Sequence, residues 1–423
     1  MTRGQDRTLR AMDHEAPLKA NRPPLRVSDK VEGIPQALSI YINQLVYDLR
    51  RRGEDVTALS LGEAFFEIPL FDFTKLDINR GYHYSDSQGI PELRNKIASY
   101  YREHYGSVVD GASEVLITAG SKPAIFMAMQ AILNPGDEVV IHEPAWLSYQ
   151  EQARLVGAEV RFIRYDVHPA DFHRSFSERT RLLILNNPNN PAGRVYSAAE
   201  LVDIYEQCRS RGIYFLVDEA YSDFVIDEKF VSLATIVPDK DGAITVNSLS
   251  KNMGMSGWRV GYVITAPPLL RHILKLNQHL ITCAPTILLY YLYSYFDDII
   301  GVTLPQVRQV VERRNRIMHK IDELGLERMG GSATFYFFVS IGDYPATSLD
   351  FALMLLLEHR IAVVPGSAYG ASTSRFVRIS IGTESEERIE EALLVIRDMI
   401  QKRFYDPVRL REGLAVRNWP VFA

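Results

Sequence analysis

Apolar runs alternate with amphipathic segments through the middle of the chain. Runs in which nearly every residue is apolar predict buried strands, and apolar residues at helical spacing between them predict helices. The predicted strands lie at 114–118 and 138–142 and in the runs 181–187, 214–221 and 243–250, and the predicted helices lie at 91–105, 122–133, 146–156 and 198–212. Strands that are apolar on both faces and separated by helices are typical of a mostly parallel sheet covered on both sides.

The pattern changes after about residue 300. A long charged helix is predicted at 307–324, followed by an alternating strand at 334–341, a helix at 349–360, a strand at 375–382 and a final helix at 384–403. The uncharged run 280–296 contains Pro285 and is shorter than the roughly 20 apolar residues of a membrane-spanning helix, so it predicts a buried helix.

These patterns predict an α/β protein with three parts. Residues 1–35 are polar and form an N-terminal arm. Residues 71–299 form a large domain around the mostly parallel sheet, and residues 36–70 and 300–423 form a smaller α+β domain.

Composition narrows the class of partner. The 423 residues are 47% apolar and 23% charged, as in an ordinary globular protein, and 47 basic residues against 52 acidic ones give a net charge of −5. This balance argues against nucleic acid or an anionic membrane surface as the partner, so we expect small molecules instead.

The two cysteines, Cys208 and Cys283, form no Cys-x-x-Cys pair, so neither a disulfide framework nor a thiolate metal cage is expected. The charged N-terminus lacks the apolar run of a secretory signal. We therefore predict a cytoplasmic protein without a metal.

Several common catalytic motifs are absent from the sequence. It contains no Gly-x-x-x-x-Gly-Lys phosphate loop, no Gly-x-Gly-x-x-Gly, no His-Glu-x-x-His and no Gly-x-Ser-x-Gly. Nucleotide hydrolysis, Rossmann-type dinucleotide binding, zincin chemistry and α/β-hydrolase chemistry therefore lack their anchoring residues.

The segment SLSKNMGMSGWRVGY, residues 248–262, carries the most specific chemistry. Lys251 follows an apolar strand and stands among small hydroxyl residues, and Arg259 lies between Trp258 and Val260. A lysine and an arginine in apolar surroundings need an anion. The pair would suit a phosphate ester whose carbonyl accepts an amine.

Three further segments end or follow apolar strands. Asp218 ends the strand in YFLVDEAY, with Tyr221 three residues later; LNNPNNPAG (185–193) exposes amide side chains; and Gly120 and Ser121 open a helix in TAGSKPAIF (118–126). Ligands of open parallel sheets gather at such strand ends, and a helix N-terminus attracts anions.

In this order the segments resemble one family. The chain is similar to fold type I pyridoxal 5′-phosphate (PLP) enzymes, and more narrowly to class I/II aminotransferases of the aspartate aminotransferase superfamily, over residues 58–400. The resemblance implies a large domain with a seven-stranded, mostly parallel sheet. It also implies transfer of an amino group from an L-amino acid to a 2-oxo acid.

The resemblance assigns three catalytic residues. Lys251 would form the Schiff base with the cofactor and move the proton. Asp218 would keep the pyridine nitrogen protonated, and Tyr221 would contact the ring hydroxyl.

It also assigns the binding residues. Those expected around the cofactor are Gly120, Ser121, Lys122, Trp146, Asn190, Asp218, Tyr221, Ser248, Ser250, Lys251, Arg259 and Tyr84. Tyr84 would reach the phosphate of the other subunit, which implies a homodimer with shared active sites. Gly62, Asn190 and Arg378 would contact the substrate, with Arg378 gripping the α-carboxylate by a bidentate fork.

Two departures from the family pattern bear on the substrate. LGEAFFEIP (61–69) lacks the usual proline and aspartate, and its Phe65 and Phe66 either narrow the pocket or belong to the core. No second arginine for a distal carboxylate is evident, which argues against aspartate as the substrate. A lyase, cyclase or oxidase with the same cofactor remains an alternative, and a sensor domain of a regulator is a remote one.

Overall fold

The computed structural model describes residues 25–225 and 230–420. The chain divides into two compact units, Met1–Ile34 and Pro35–Ala423. The described part of the first unit contains one short helix, α1 (Asp29–Glu32). Residues 1–24 of the predicted N-terminal arm lie outside the described residues. The division of the second unit into a large and a small domain stays a prediction.

The second unit alternates helices and strands along most of its length. Its described helices are α2 (Leu38–Arg51), α3 (Ile78–Gly81), α4 (Pro91–Tyr105), α5 (Ser121–Ile132), α6 (Ser148–Leu155), α7 (Ala198–Arg209), α8 (Leu233–Ile236), α9 (Leu249–Asn252), α10 (Pro267–Leu280), α11 (Thr286–Glu323), α12 (Ser348–His359), α13 (Glu386–Lys402) and α14 (Pro407–Val416). Its described strands are β1 (Thr57–Ala58), β2 (Val115–Thr118), β3 (Glu138–His142), β4 (Glu159–Ile163), β5 (Thr180–Asn186), β6 (Tyr214–Asp218), β7 (Ala243–Ser248), β8 (Gly261–Thr265), β9 (Tyr336–Ser340), β10 (Ile361–Ala362), β11 (Val364–Pro365) and β12 (Phe376–Ser380). Short 3-10 helices lie at Phe73–Lys75, Pro169–Ser175, Ser256–Trp258, Gly366–Tyr369 and Ala371–Thr373.

A seven-stranded sheet forms the centre of this unit, with the strand order β2-β8-β7-β6-β5-β3-β4. Strand β8 runs antiparallel to both of its neighbours, and the other six strands are parallel to one another. The predicted mostly parallel sheet is therefore confirmed.

Helices cover both faces of the sheet, as the apolar strands predict. Leu182 and Ile184 of β5 pack in a cluster with α5, α6 and α10, whereas Leu183 and Leu185 pack in a second cluster with α7 and α8. Because neighbouring side chains of a strand point to opposite faces, both faces of β5 are buried. This is why the strand has no polar alternation.

Two smaller sheets lie outside the central one. Strands β11, β12 and β9 form an antiparallel sheet, and β1 pairs with β10 in parallel. The first of these sheets carries Arg378 on β12, opposite Phe338 of β9. This small sheet therefore contributes a basic side chain from a part of the sequence that follows all the strands of the central sheet.

The predicted elements agree with the structure within three residues at most ends, and the differences have local causes. Residues 280–296 are not one helix: α10 ends at Leu280, and α11 begins after Pro285, which lacks a backbone N–H to continue a helix. The strand predicted at 334–341 is buried along all of β9 rather than on one face. The elements of the second unit that were not predicted are strands β1, β4, β8, β10 and β11 and helices α2, α3, α8, α9, α10 and α14.

Helix α11 is long and apolar enough, by length and composition alone, to cross a membrane. Its backbone leaves helical geometry at Tyr295. Leu289 and Ile299 pack in one core cluster, and Val307 and Ile317 pack in another. Because both halves bury apolar side chains inside the unit, α11 is a core helix, as predicted for its first part.

Candidate active site

The carboxyl ends of the central strands bring the predicted site residues to one edge of the sheet. Strand β5 ends at Asn186, β6 at Asp218 and β7 at Ser248. Because β8 is antiparallel, its first residue, Gly261, lies at the same edge, two residues after Arg259. The order of strands thus gathers segments that are far apart in sequence.

A cavity of about 390 Å³ opens at this edge. The predicted residues that line it are Gly62, Ser121, Lys122, Trp146, Asn190, Asp218, Tyr221, Ser248, Ser250, Lys251, Arg259 and Arg378. No group of three or more His, Cys, Asp or Glu side chains able to hold a metal occurs within residues 25–225 and 230–420.

Lys251 projects into the cavity from the short helix α9, directly after β7. Ser248 caps that helix, its hydroxyl accepting a hydrogen bond from the Ser250 N–H at 3.2 Å. The Lys251 ammonium donates to the Gly62 carbonyl at 2.5 Å. Burial lowers the pKa of Lys251 to about 8, against the opposing effect of the Glu63 carboxylate. A fraction of Lys251 is therefore a neutral amine near neutral pH.

Asp218 is a buried carboxylate held by two donors. The Tyr149 hydroxyl donates to Oδ2 at 2.7 Å, and the Ala220 N–H donates to Oδ1 at 3.1 Å. Burial raises the pKa of Asp218, and the hydrogen bond from Tyr149 opposes that rise. The site is thus built to hold a carboxylate away from water.

Gly120 and Arg259 meet at the N-terminus of α5. Gly120 has a φ of +92°, and a Cβ placed on it would lie 2.5 Å from Arg259 Nη2. Arg259 is itself left-handed, with a φ of +58°, and donates to the Ser256 carbonyl at 2.6 Å. The free N–H groups of a helix start and a guanidinium are together chemically suited to bind an anion.

Arg378 lies on the other side of the cavity and is only 4% exposed. Its Nη2 donates to the Ser60 carbonyl at 2.7 Å, and its Nη1 donates to Asn190 Oδ1 at 3.4 Å. Within the described residues its Nε has no hydrogen-bond partner. A buried guanidinium with a free donor is suited to bind a carboxylate.

Tyr221 and Trp146 are two further residues that line the cavity. The Tyr221 hydroxyl lies 2.9 Å from the Tyr336 hydroxyl and 3.4 Å from Asn190 Nδ2. Burial raises the pKa of Tyr221 well above its ordinary value, so the phenol stays protonated. The Lys122 ammonium lies 4.9 Å from the centre of the Trp146 ring.

Two aromatic predictions lie outside the cavity. Tyr84 is 85% exposed and does not line it. Phe65 is 66% exposed, while Phe66 stacks on Phe224 with ring centroids 6.5 Å apart. Phe66 is therefore part of the core packing, and neither phenylalanine lines the cavity.

Sequence reasoning missed four residues that hold the predicted ones. Tyr149 contacts Asp218, and Ser60 contacts Arg378, as described above. The other two are Tyr336 and Asn186, whose Oδ1 accepts the Asn190 N–H at 2.6 Å. Asn186 lies inside the segment LNNPNNPAG, and Tyr149 lies three residues after the predicted Trp146, so nearness in sequence to the predicted residues was the available signal.

Known proteins share this architecture. The family model for aminotransferase class I and II matches residues 68–396. The chain is 31% identical over 388 residues to an aspartate aminotransferase from Thermotoga maritima, covering 89% of this chain and 100% of that protein. It is 31% identical over 362 residues to aromatic-amino-acid aminotransferase 2 from Thermococcus litoralis, covering 82% and 92%. The solved aspartate aminotransferase from Thermus thermophilus with maleate aligns with a TM-score of 0.80 at 28% identity, covering 89% and 100%.

These similarities confirm the predicted fold type I architecture, the enzyme class and the cofactor. The relatives described here are aminotransferases rather than lyases, cyclases, oxidases or regulators. Members of the family use pyridoxal 5′-phosphate, and their substrates are amino acids and 2-oxo acids. The chain therefore belongs to the class I and II aminotransferases and is a PLP-dependent enzyme.

Proposed function

We propose that this cavity is the active site for amino transfer, that Lys251, Asp218 and Tyr221 are its catalytic residues, and that the Lys251 amine would hold the cofactor. The observation that carries the proposal is the convergence of a buried amine, a buried carboxylate and two arginines on one cavity. The amine belongs to Lys251, the carboxylate to Asp218 and the guanidinium groups to Arg259 and Arg378.

The residues at the start of α5 fit the phosphate of the cofactor. The N–H groups of Gly120, Ser121 and Lys122 would bind phosphate oxygens, because a helix N-terminus leaves its first N–H groups without intrahelical partners. Gly120 leaves room for the Arg259 guanidinium, which a Cβ would displace. The hydroxyls of Ser248 and Ser250 line the same cavity and would complete this phosphate cup.

The walls of the cavity fit the ring. Asp218 would pair with the pyridine nitrogen, and the Tyr221 hydroxyl and Asn190 amide would donate to the ring oxygen. Trp146 would stack on the ring face. When bound, pyridoxal 5′-phosphate stabilises the negative charge that develops on the substrate α-carbon when its proton leaves.

The chain's own residues would position the substrate and move the proton. Arg378 would bind the α-carboxylate through its Nε–H, which has no partner among the described residues, and the second N–H of an Nη group, beside Gly62 and Asn190. Lys251 Nζ would take the α-proton, because burial keeps part of this amine neutral near neutral pH. Closure of these groups around the substrate would exclude water from the reacting carbon.

Lys122 points to an acidic substrate. Four basic side chains line the cavity, and the roles above use those of Lys251, Arg259 and Arg378. The Lys122 ammonium is in no ion pair within the described parts of the chain. Ser39 is a further polar residue in the lining of the same cavity. We therefore propose a second carboxylate on the substrate side chain, bound by Lys122, although the missing second arginine argued against aspartate as the substrate.

The exposed aromatic residues support a homodimer with shared sites. Tyr82 and Tyr84 are both more than three-quarters exposed, which is unusual for large rings and favours a covering partner. We propose that Tyr84 reaches the phosphate bound in the other subunit. The relatives indicate a soluble protein, and we propose that it works in the cytoplasm.

Replacing Gly120 by alanine tests the phosphate cup. The change should weaken retention of the cofactor about tenfold or more, since a hydrogen bond to a charged group contributes about 1.5–3 kcal/mol. Gly136→Ala is the matched control: its φ is +89°, so it carries a similar backbone strain, but a Cβ there meets nothing within 4 Å. Spectroscopic titration of the apo-proteins with cofactor measures the difference. Equal losses in both variants would assign the effect to backbone strain alone.

Amino transfer consists of two half-reactions, and each of them can be followed separately. Supplied with an amino donor and no 2-oxo acid, the enzyme should convert its bound cofactor once and stoichiometrically to the amine form, and a 2-oxo acid should reverse the change. Asp218→Asn should slow this step about hundredfold or more, because the ring nitrogen loses its ionic partner, while the cofactor stays bound. Continuous release of ammonia with no accumulated amine form would contradict amino transfer.

The acidic-substrate proposal predicts a selective loss. Lys122→Met should lower kcat/KM for aspartate and glutamate about tenfold to hundredfold, because losing a hydrogen bond between charged groups costs about that factor. Neutral amino donors, assayed on the same variant, serve as the internal control and should keep their kcat/KM within a few-fold. A uniform loss for acidic and neutral donors would show that Lys122 serves the cofactor instead.

Shared sites predict complementation between inactive chains. Mixing Tyr84→Ala with Lys251→Ala at limiting cofactor should restore about a quarter of the wild-type activity, because half of the dimers are mixed and each holds one intact site. Each variant alone is the control. If Tyr84 acts within its own chain, no mixed site is complete and activity stays at the level of the parents.

A further inference from the structure

Tyr336 links two parts of the active site, beside the hydrogen bond that Arg378 Nη1 donates to Asn190 Oδ1. It lies on β9, is fully buried and lines the cavity. Its hydroxyl is 2.9 Å from the Tyr221 hydroxyl, and the Arg378 guanidinium lies 4.5 Å from the centre of its ring. One side chain thus touches both the phenol proposed for the cofactor ring oxygen and the guanidinium proposed for the substrate carboxylate.

Its position is fixed by the sheet. Arg378 of β12 is opposite Phe338 of β9, and Tyr336 stands two residues along the same strand, on the same face. A Cβ on Gly62 would lie 3.3 Å from Tyr336 Oη, so a glycine at position 62 leaves the space that the phenol occupies. Because Tyr336 is fully buried on this sheet, its hydroxyl is held beside that of Tyr221.

We propose that Tyr336 is a positioning residue that donates its hydrogen bond to the Tyr221 oxygen and so directs the Tyr221 proton toward the ring oxygen of the cofactor. The inference rests on the proposed role of Tyr221. It adds a residue that acts on the cofactor through another side chain.

The direction of the hydrogen bond follows from the charge beside it. Burial raises the pKa of both phenols and the Arg378 guanidinium opposes that rise at both, but it is the Tyr336 ring that the guanidinium lies against, 4.5 Å from the ring centre, where its effect is second only to burial. The stronger acid of a phenol pair is the better donor, so Tyr336 donates and Tyr221 accepts. Tyr221 then has its own proton free for a third group, and hydrogen bonds in such a chain strengthen one another.

The consequence can be read from the absorption of the bound cofactor. A hydrogen bond donated to the ring oxygen stabilises negative charge there. It therefore lowers the pKa of the proton that the ring oxygen shares with the Lys251 nitrogen. Weakening the donor chain at Tyr336 should raise that pKa. Arg378 keeps its aromatic neighbour in Tyr336→Phe, so binding of the substrate carboxylate should change little.

Tyr369 provides a matched control. Its ring also lies against Arg378, with the guanidinium 5.6 Å from the ring centre, and it is equally buried. Within the described residues its hydroxyl has no hydrogen-bond partner. Tyr369→Phe therefore removes the same atom from a ring beside the same arginine without touching Tyr221.

The experiment is a pH titration of the visible absorption band of the holoenzyme for the wild type, Tyr336→Phe and Tyr369→Phe. In Tyr336→Phe the apparent pKa of the band should rise by about 0.5 to 1, the range that one neutral hydrogen bond supplies, and KM for the amino donor should stay within about threefold. In Tyr369→Phe the pKa should match the wild type.

An unchanged pKa in Tyr336→Phe, or the same change in both variants, would overturn the inference. Either result would leave the proposed function standing, provided that both variants still carry the band and complete the single conversion with an amino donor. A wild-type protein that shows no such absorption band with the cofactor would instead count against the proposed site. Thermal unfolding of each variant checks that the fold is retained.

Discussion

An excess of positive charge inside one cavity is the constraint on which the site depends. Lys122, Lys251, Arg259 and Arg378 line it, and the carboxylates of Glu63 and Asp218 are the acidic groups in the same lining. Lys122 and Arg259 are exposed to solvent, whereas Arg378 and Asp218 are buried, and buried charges are stable only when hydrogen bonds and opposite charges compensate for lost water. The protein supplies carbonyl oxygens at Gly62, Ser60 and Ser256, and a ligand with a phosphate and a carboxylate would supply the remaining negative charge.

The sheet explains how these cations come together. Parallel strands place Asp218 and the residues after Ser248 at one edge, and the antiparallel strand β8 brings Arg259 back to that edge. Arg378 arrives from a different sheet, held against Tyr336 and the Ser60 carbonyl. The phosphate side and the carboxylate side rest on separate sheets, and the Tyr221–Tyr336 hydrogen bond and the hydrogen bond from Arg378 to Asn190 join them.

The sequence alone predicted the residues whose types are unusual for their surroundings. Lys251 and Asp218 stand out because each ends an apolar strand, and Arg259 because it lies between apolar neighbours. The seven-stranded sheet followed from the resemblance together with the apolar runs. The residues that carry the chemistry, although their roles stay proposals, were therefore visible before the fold was known.

The supporting residues were not visible in this way. Tyr336 lies in the run TFYFFVSI, where nothing local distinguishes it from its aromatic neighbours in the core. Its importance comes from the register between β9 and β12, which depends on contacts distant in sequence. The break between α10 and α11 has a local signal in Pro285, which the prediction of one helix over 280–296 did not use, whereas the departure from helical geometry at Tyr295 has no such signal in the local sequence.

The central claim is that Lys251 is the amine that carries the cofactor, and the same cavity contains a second lysine that could compete for it. Reduction of the holoenzyme with borohydride, followed by digestion and peptide mapping, tests this directly. The account predicts a pyridoxyl group on the peptide that contains Lys251 and none on the peptide that contains Lys122. A modified Lys122, or protein that binds the cofactor but yields no adduct, would contradict it.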